Sequence, residues 1–449
     1  MRYLLLASYI VFLMGCAQKN VIVPQENNSS LIVLEVNESL PIMDLEYYSQ
    51  DTSTYASNIH DTKKLLSIQL EYERHYFAPW HYKQAPEKLE NVMWPYVSYK
   101  PDNAYGENLQ PLNQEWFDGM LELSNFNYYD TLKQYAIATQ YLSLRNFPTH
   151  KPLFKDPREA GEGFPFDYLQ NSGVHANEPL YLSHYSKDKA WVYVFSAYAT
   201  GWVDVKDIAF VSKSVINKYE KAKTLHLTVD NRPIYDIKGR FVFMSRVGMR
   251  LPLIKIEKDF YTALAITKGA YFQPTYTVVK IPISQGQDSL LTLSKENLQE
   301  MTNIMMHNNY GWGGLYGERD CSSTLRDLFA PFGIWLPRNS AQQARVGKKV
   351  DLSLLDNTKK LETIKAQGVP FETLIYRKGH ILLYLGTYED DVIVMHTMWG
   401  IKTDDGVSSG RVVIGKTVIS TLNLGYKQKD FDVENSLLNK ASSMNILTR

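Results

Sequence analysis

The sequence predicts a multidomain protein in which a mainly helical amino-terminal region and two small β-barrels precede an α+β carboxy-terminal domain. Three observations predict it. Apolar residues recur at helical spacing between residues 59 and 145, short strand-like runs bounded by turn residues fill 161 to 282, and a glycine-rich turn then leads into a helix that opens at a cysteine. A chain of 449 residues has room for several domains, and 44% hydrophobic with 21% charged residues is ordinary for soluble globular protein. Basic and acidic residues balance at 48 each, so composition gives no support for a nucleic-acid partner. The 31 tyrosines suit either tyrosine-rich cores or polar-tipped aromatic surfaces able to stack on sugars and peptides.

Met1 to Cys16 carries one positive charge and then an apolar run too short for a permanent span, so it reads as an export signal. Its end, Leu13-Met-Gly-Cys16, resembles a bacterial lipobox, which would make Cys16 a lipidated first residue. The alternative is a plain signal peptide with an incidental cysteine. Residues 17–40 are polar and read as a tether. Within 41–160, Leu65, Leu66, Ile68, Leu70, Tyr72 and Tyr76 predict a helix that stops at Pro79, and a second helical region is expected from 113 to 145.

Turn-rich Gly161 to Leu169 opens the first barrel, 161–225, with strands expected at Pro179–His184, Ala190–Ser196 and Gly201–Ile208. A second barrel, 226–284, is expected from Phe241-Val-Phe243, Ala263–Ile266 and Tyr276–Ile281. The remaining domain, 285–449, holds the chemistry. Leu325, Leu328, Phe329 and Phe332 follow Cys321 at helical spacing and end at Gly333, a natural C-cap. Cys321 therefore lies in the first helical turn, where unpaired N–H groups and the dipole favour a thiolate. On position alone it is equally a small buried apolar residue.

A nucleophilic cysteine needs a base, and two strand-like runs downstream each carry a histidine, His380 and His396. With a five-residue tip from Gly386 to Asp390, the two lie directly opposite on one face, about 5 Å apart at Cβ. A four-residue tip would separate them. In that arrangement Cys321 is the nucleophile, His380 the general base and His396 the group that orients it. Either histidine taken singly is an ordinary half-buried strand residue. Farther along, Arg411–Gly415 predicts one more strand, and Leu336-Pro-Arg-Asn-Ser-Ala-Gln-Gln343 a short helix near Ser340, with Ser340 and Gln342 as capping and packing residues.

Tyr310-Gly-Trp-Gly-Gly, then Asp320-Cys-Ser322 opening a helix, then Gly379-His380 heading a strand and His396 on the next, resembles the NlpC/P60 family of cell-wall cysteine peptidases. The preceding segments resemble the branch of that family with bacterial SH3 domains and a helical amino-terminal domain. The resemblance implies a papain-like catalytic core and hydrolysis of the amide between D-glutamate and a diamino acid in peptidoglycan stem peptides, without metal or cofactor. It also implies that Asp320 and Ser322, with Tyr310 in the same motif and a tyrosine of the first barrel, here Tyr198, contact substrate and grip a free L-alanyl amino terminus. Asp320 is equally well read as the N-cap of the helix. The expected setting is a bacterial cell envelope, with a lipid anchor and a periplasm-facing body. Two other functions fit part of the sequence: acyl transfer from the same thioester, and a non-catalytic peptidoglycan-binding lipoprotein, which would not need the thiol and both histidines.

Overall fold

The computed structural model describes residues 43–59, 66–159, 161–407 and 409–448. Cys16, the signal segment 1–16 and the tether 17–40 lie outside the described residues. Among those described, no helix is long and apolar enough to cross a membrane.

In the amino-terminal region the helix Leu66–Phe77 gives way to a 3-10 turn, Ala78–Trp80, at Pro79, a residue without an N–H to continue the ladder. The second expected helix is much shorter than 113–145. It runs Gln114–Leu123, with Asn113 as N-cap accepting from the Trp116 amide. Left-handed residues at Asn125, Asp130 and Lys133 break the chain beyond it. The apolar residues after that point alternate as strand residues, a pattern that overlaps helical spacing over a few positions.

Those strands belong to the first β domain, which therefore begins near Gln134 and not at residue 161. Its strands are β1 Gln134–Ala138, β2 Leu142–Arg145, β3 Gln170–Val174, β4 Pro179–Tyr185, β5 Trp191–Phe195, β6 Thr200–Asp204 and β7 Ile208–Phe210. They pair antiparallel in the order β3-β2-β6-β5-β4-β1-β7 around a core that includes Leu144, Val174, Leu182, Val194 and Val203. The helix Lys213–Lys221 leads to a second seven-stranded sheet. This one comprises β8 Thr224–Leu227, β9 Pro233–Asp236, β10 Phe241–Met244, β11 Arg250–Ile256, β12 Phe260–Lys268, β13 Pro274–Pro282 and β14 Gly286–Gln287, in the order β10-β9-β13-β12-β11-β8-β14.

The carboxy-terminal domain sets the helix Cys321–Phe329 against a six-stranded antiparallel sheet, β15-β20-β16-β17-β18-β19. Its strands are β15 Lys348–Asp351, β16 Thr373–Arg377, β17 His380–Tyr388, β18 Asp391–Asp404, β19 Ser409–Thr421 and β20 Ala441–Ile446. Leu325, Leu328 and Phe329 share one core cluster with Ile381, Leu383, Ile393 and Met395, so apolar contact fixes the helix on the sheet. Burying a leucine of this kind contributes about 1.5–3 kcal/mol. At the far end Gly333, at φ 71°, caps the chain in the left-handed region.

The first described residues strap the same sheet. Gln50 exchanges two hydrogen bonds of 2.9 Å with the backbone of Ile419, and the Tyr48 hydroxyl donates to Asp391 at 2.7 Å.

Candidate active site

Cys321 is the first residue of its helix and half-buried. Asp320 is the N-cap, and a reciprocal box forms because its carboxylate accepts from the Ser323 amide while the Ser323 hydroxyl accepts from the Asp320 amide, both at 2.9 Å. The glycine-rich turn before it is held against the first β domain. Gln170 donates to the Gly313 carbonyl at 3.0 Å and the Tyr141 hydroxyl to the Gly314 carbonyl at 2.7 Å. Gly313 and Gly314 have φ of 59° and 86°, and a Cβ on either would fall 2.3 Å from the Gln170 carbonyl oxygen or 2.6 Å from the Tyr141 hydroxyl. Glycine is required at both.

The electrostatics differ from the thiolate expected at a helix start. Burial pushes the Cys321 thiol up to about 12, and the neighbouring Asp320 carboxylate adds to this. The Ile381 amide N–H, Arg338 and the Ser322 amide act in the opposite sense and are outweighed. Burial likewise takes His380 down to about 3, helped by Arg377. His396 is held well below the usual imidazole range by burial and by His380. At neutral pH the resting site therefore holds a neutral thiol and two neutral imidazoles.

The structure brings the two histidines together by a different register from the one expected. Tyr388 pairs with Asp391, so the tip is a two-residue turn at Glu389 and Asp390, both at positive φ. Gly386 pairs with Ile393, but Tyr384 pairs with Val394 and Leu383 with Met395, which places one extra residue on β17 at Leu385. Without that bulge, Leu383 would oppose His396 and His380 would point to the other face. With it, His380 lies diagonal to His396 on the same face, and the two rings meet with Nε2 of His380 2.8 Å from Nδ1 of His396. Asn58 holds the bulge: its side-chain amide donates to the Leu385 carbonyl at 3.1 Å and to the Thr387 carbonyl at 3.2 Å. On the other side, His396 Nε2 lies 3.0 Å from the Ser420 hydroxyl on β19.

A cleft of about 510 Å³ reaches Cys321, and its wall includes Tyr310, Asp320, Ser322, Arg338 and Tyr198. Asp320 is not free for a ligand in the way expected from its position beside the nucleophile. Burial would raise its pKa, but Arg338, at 2.7 and 3.2 Å, and the Ser323 amide hold it below the usual carboxylate range. Ser322 is drawn into the same pair: its hydroxyl donates to Asp320 at 3.0 Å and accepts from Arg338 at 3.0 Å. Tyr198 is also committed elsewhere, because its hydroxyl donates to Glu178 at 2.8 Å and lies 3.0 Å from the Gly173 carbonyl. The Arg326 guanidinium covers the Tyr198 ring at 3.9 Å. Tyr198 therefore lends the cleft its ring and not an amine-binding hydroxyl. Tyr310 is half-buried near Cys321 and Asp320, with its ring 6.0 Å from that of Trp399.

Sequence reading missed Arg338, although it stands in the Leu336–Gln343 stretch. It joins three parts of the site, donating from Nε to Ser172 of the first β domain at 2.7 Å while its other nitrogens hold Asp320 and Ser322. In the helix that follows, Ser340–Gln343, the cap is Asn339, not Ser340, and the packed side chain is Gln343, not Gln342. Gln343 donates to the Ser322 carbonyl at 2.8 Å. Among the described residues no group of three or more His, Cys, Asp or Glu side chains could hold a metal ion.

A cysteine heading a helix that packs on an antiparallel sheet, with two hydrogen-bonded histidines on adjacent strands of that sheet, defines a papain-like cysteine peptidase. Four family models match the chain in series: the NLPC_P60 stabilising domain at 5–129, an SH3 domain of SH3b1 type at 152–204, an SH3 domain of SH3b2 type at 212–257, and the NlpC/P60 family at 307–407. The carboxy-terminal domain is an NlpC/P60 domain, and the two seven-stranded β domains are SH3b domains. Among solved structures it is similar to an NlpC/P60 endopeptidase from Photobacterium damselae subsp. piscicida, with a TM-score of 0.78 and 24% identity over 90% of this chain and 98% of that one. It is also similar to an NlpC/P60 family protein from Bacillus cereus, with a TM-score of 0.47 and 14% identity over 70% of this chain and 100% of that one. No curated protein matches the chain by sequence.

Proposed function

We propose that the protein is an exported, lipid-anchored cysteine endopeptidase that hydrolyses the γ-D-glutamyl to diamino acid amide of peptidoglycan stem peptides through a thioester acyl-enzyme. The observation that carries the chemistry is the 2.8 Å contact between His380 and His396 on the strands facing the Cys321 helix. His380 takes the thiol proton as Cys321 attacks the amide carbon. The imidazolium then protonates the leaving amine, and water attacks the thioester with the neutral imidazole as base. Because thiol and imidazole rest uncharged, the ion pair forms only as the bond forms. The developing oxyanion is met by backbone N–H groups at the start of the helix, including that of Cys321.

The family supports this substrate, and the cleft wall carries the paired Asp320 and Arg338, groups of both signs beside a peptide that carries an amine and several carboxylates. We assign a requirement for a free L-alanyl amino terminus to this site. Asp320 Oδ2 accepts from Arg338 alone among the described contacts, so an ammonium would give it a second donor. Asn171, Ala199 and Thr200 of the first SH3b domain also line the cleft. An acylated amine, as in a stem still joined to glycan, could not supply that charge. The Leu13-Met-Gly-Cys16 ending supports a periplasm-facing body anchored through Cys16 in a bacterial cell envelope.

The test compares free L-Ala-γ-D-Glu-diaminopimelate with its N-acetylated form, products being followed by mass. The free peptide should be cut and the acetylated one spared. Equal rates would reject amino-terminal recognition, and no cleavage of either would reject the substrate class. For the anchor, wild-type protein should fractionate with membranes and Cys16→Ser should not; a freely soluble, unmodified wild type would reject it.

A further inference from the structure

We propose that Ser420 is a positioning residue that sets the tautomers of both histidines and so leaves His380 Nδ1 as the unprotonated nitrogen. The inference rests on the general-base role given above to His380. It is read from hydrogen-bond directions, starting at the one atom in the chain of contacts whose role is fixed. The Thr421 carbonyl oxygen can only accept, and the Ser420 hydroxyl lies 2.9 Å from it. The single hydroxyl proton of Ser420 is thereby used. Toward His396 Nε2, at 3.0 Å, the Ser420 oxygen can then only accept. His396 must carry its proton on Nε2.

A neutral imidazole has one N–H, so His396 Nδ1 is a lone pair, and the 2.8 Å contact to His380 is made by a proton on His380 Nε2. That leaves His380 Nδ1 bare. Burial keeps both rings neutral, which forbids the alternative in which each nitrogen carries a proton. The geometry that allows the chain is a pair of diagonals on one sheet face. His396 pairs with Val418 and Val394 with Ser420, so Ser420 sits diagonal to His396 on β19 just as His380 does on β17. Ser420 is fully buried, so water does not replace its oxygen as acceptor.

When the thiol proton moves from Cys321 Sγ to His380 Nδ1, no other proton in the chain has to move. Nε2–H of His380 still donates to His396, and His396 still donates to Ser420. Without the Ser420 oxygen, the buried Nε2–H of His396 is unpaired. The reversed tautomer, with Nδ1–H of His396 donating to His380 Nε2, then competes. In that form His380 carries its proton on Nδ1 and has no lone pair there for the thiol.

The experiment measures kcat, KM and the imidazole 15N spectrum of wild type, Ser420→Ala and Ser420→Thr, with melting temperature as a control for folding. Wild type should show both histidines protonated on Nε2. Ser420→Ala should lose about tenfold to a hundredfold in kcat with KM unchanged, the size expected for one unpaired buried donor. Its spectrum should show Nδ1 protonation appearing at both rings, and Ser420→Thr, which keeps the hydroxyl, should restore both readouts. A wild-type kcat in Ser420→Ala would overturn the proposal. So would a loss of activity with the Nε2 tautomers intact, or a wild type with His380 protonated on Nδ1. An inactive wild type with the Nε2 tautomers in place would count against the proposed substrate, and the spectrum would still decide the tautomers.

Discussion

At the scale of single residues, the two imidazoles rest uncharged in the folded site, which has a consequence for acid stability. His380 is near 6.5 in the unfolded chain and about 3 in the folded one, and His396 is also depressed. Between those values the unfolded chain binds more protons, so stability is complete above about pH 6.5 and falls as pH drops toward 3. The melting temperature of wild type should therefore fall faster over this window than that of a His380→Gln, His396→Gln double variant; parallel curves would mean that the pair is not buried neutral. Individually, His380→Ala should lose about 10²–10⁴-fold in kcat, the usual worth of a general base. His396→Gln should keep part of the activity, because an amide can accept from His380 and donate to Ser420 at once. Cys321, His380 and His396 could be read from sequence because each stands at a recognisable place, a helix start or a strand bounded by glycine and turn residues. Ser420 and Arg338 could not. Their roles depend on partners 24 and 18 positions away across a sheet and a loop, and no local pattern encodes those distances.

At the scale of elements, the β17–β18 hairpin decides whether the histidines meet. Its tip uses Glu389 and Asp390 at positive φ, where Asn and Gly are the usual signals, so the sequence alone points to a longer tip. The bulge at Leu385 is invisible for a similar reason, since only pairing reveals an extra residue. The shortened second helix follows from the same ambiguity, apolar residues two and four apart fitting a strand as well as a helix over a few positions. Asn58 donates to the carbonyls of Leu385, in the bulge, and of Thr387, just beyond it, and its side chain fills the place where a Cβ on Gly386 would stand, 2.3 Å from its amide nitrogen. Asn58→Ala should lower kcat severalfold while costing about 1–3 kcal/mol in stability, as the partly buried Leu385 carbonyl loses its donor. Hydrogen exchange at the hairpin amides should rise with it. Unchanged exchange and kcat would show that the bulge holds its register unaided.

At the scale of the whole molecule, the order of helical region, two β domains and α+β domain was legible from changes in apolar period along the chain. The way the domains share the site was not. Arg319, one residue before the N-cap, is fully buried and bonds Asp230 of the second SH3b domain, Asp327 of the catalytic helix at 2.6 Å and Asn308 at 2.8 Å. Asp327 in turn lies 3.1 Å from His175 of the first SH3b domain and accepts from Arg326 at 2.7 and 2.9 Å. Arg319→Met leaves two buried carboxylates short of a partner and should cost about 3–5 kcal/mol. Urea unfolding checks this, and a loss below about 1 kcal/mol would mean that the network does not join the domains. The central claim is that Cys321 cuts the bond after D-glutamate, and the most direct measurement is mass analysis of L-Ala-γ-D-Glu-diaminopimelate incubated with wild type and with folded Cys321→Ala. Wild type alone should yield L-Ala-D-Glu and free diaminopimelate. Cleavage at another bond, or equal turnover by the alanine variant, would contradict it.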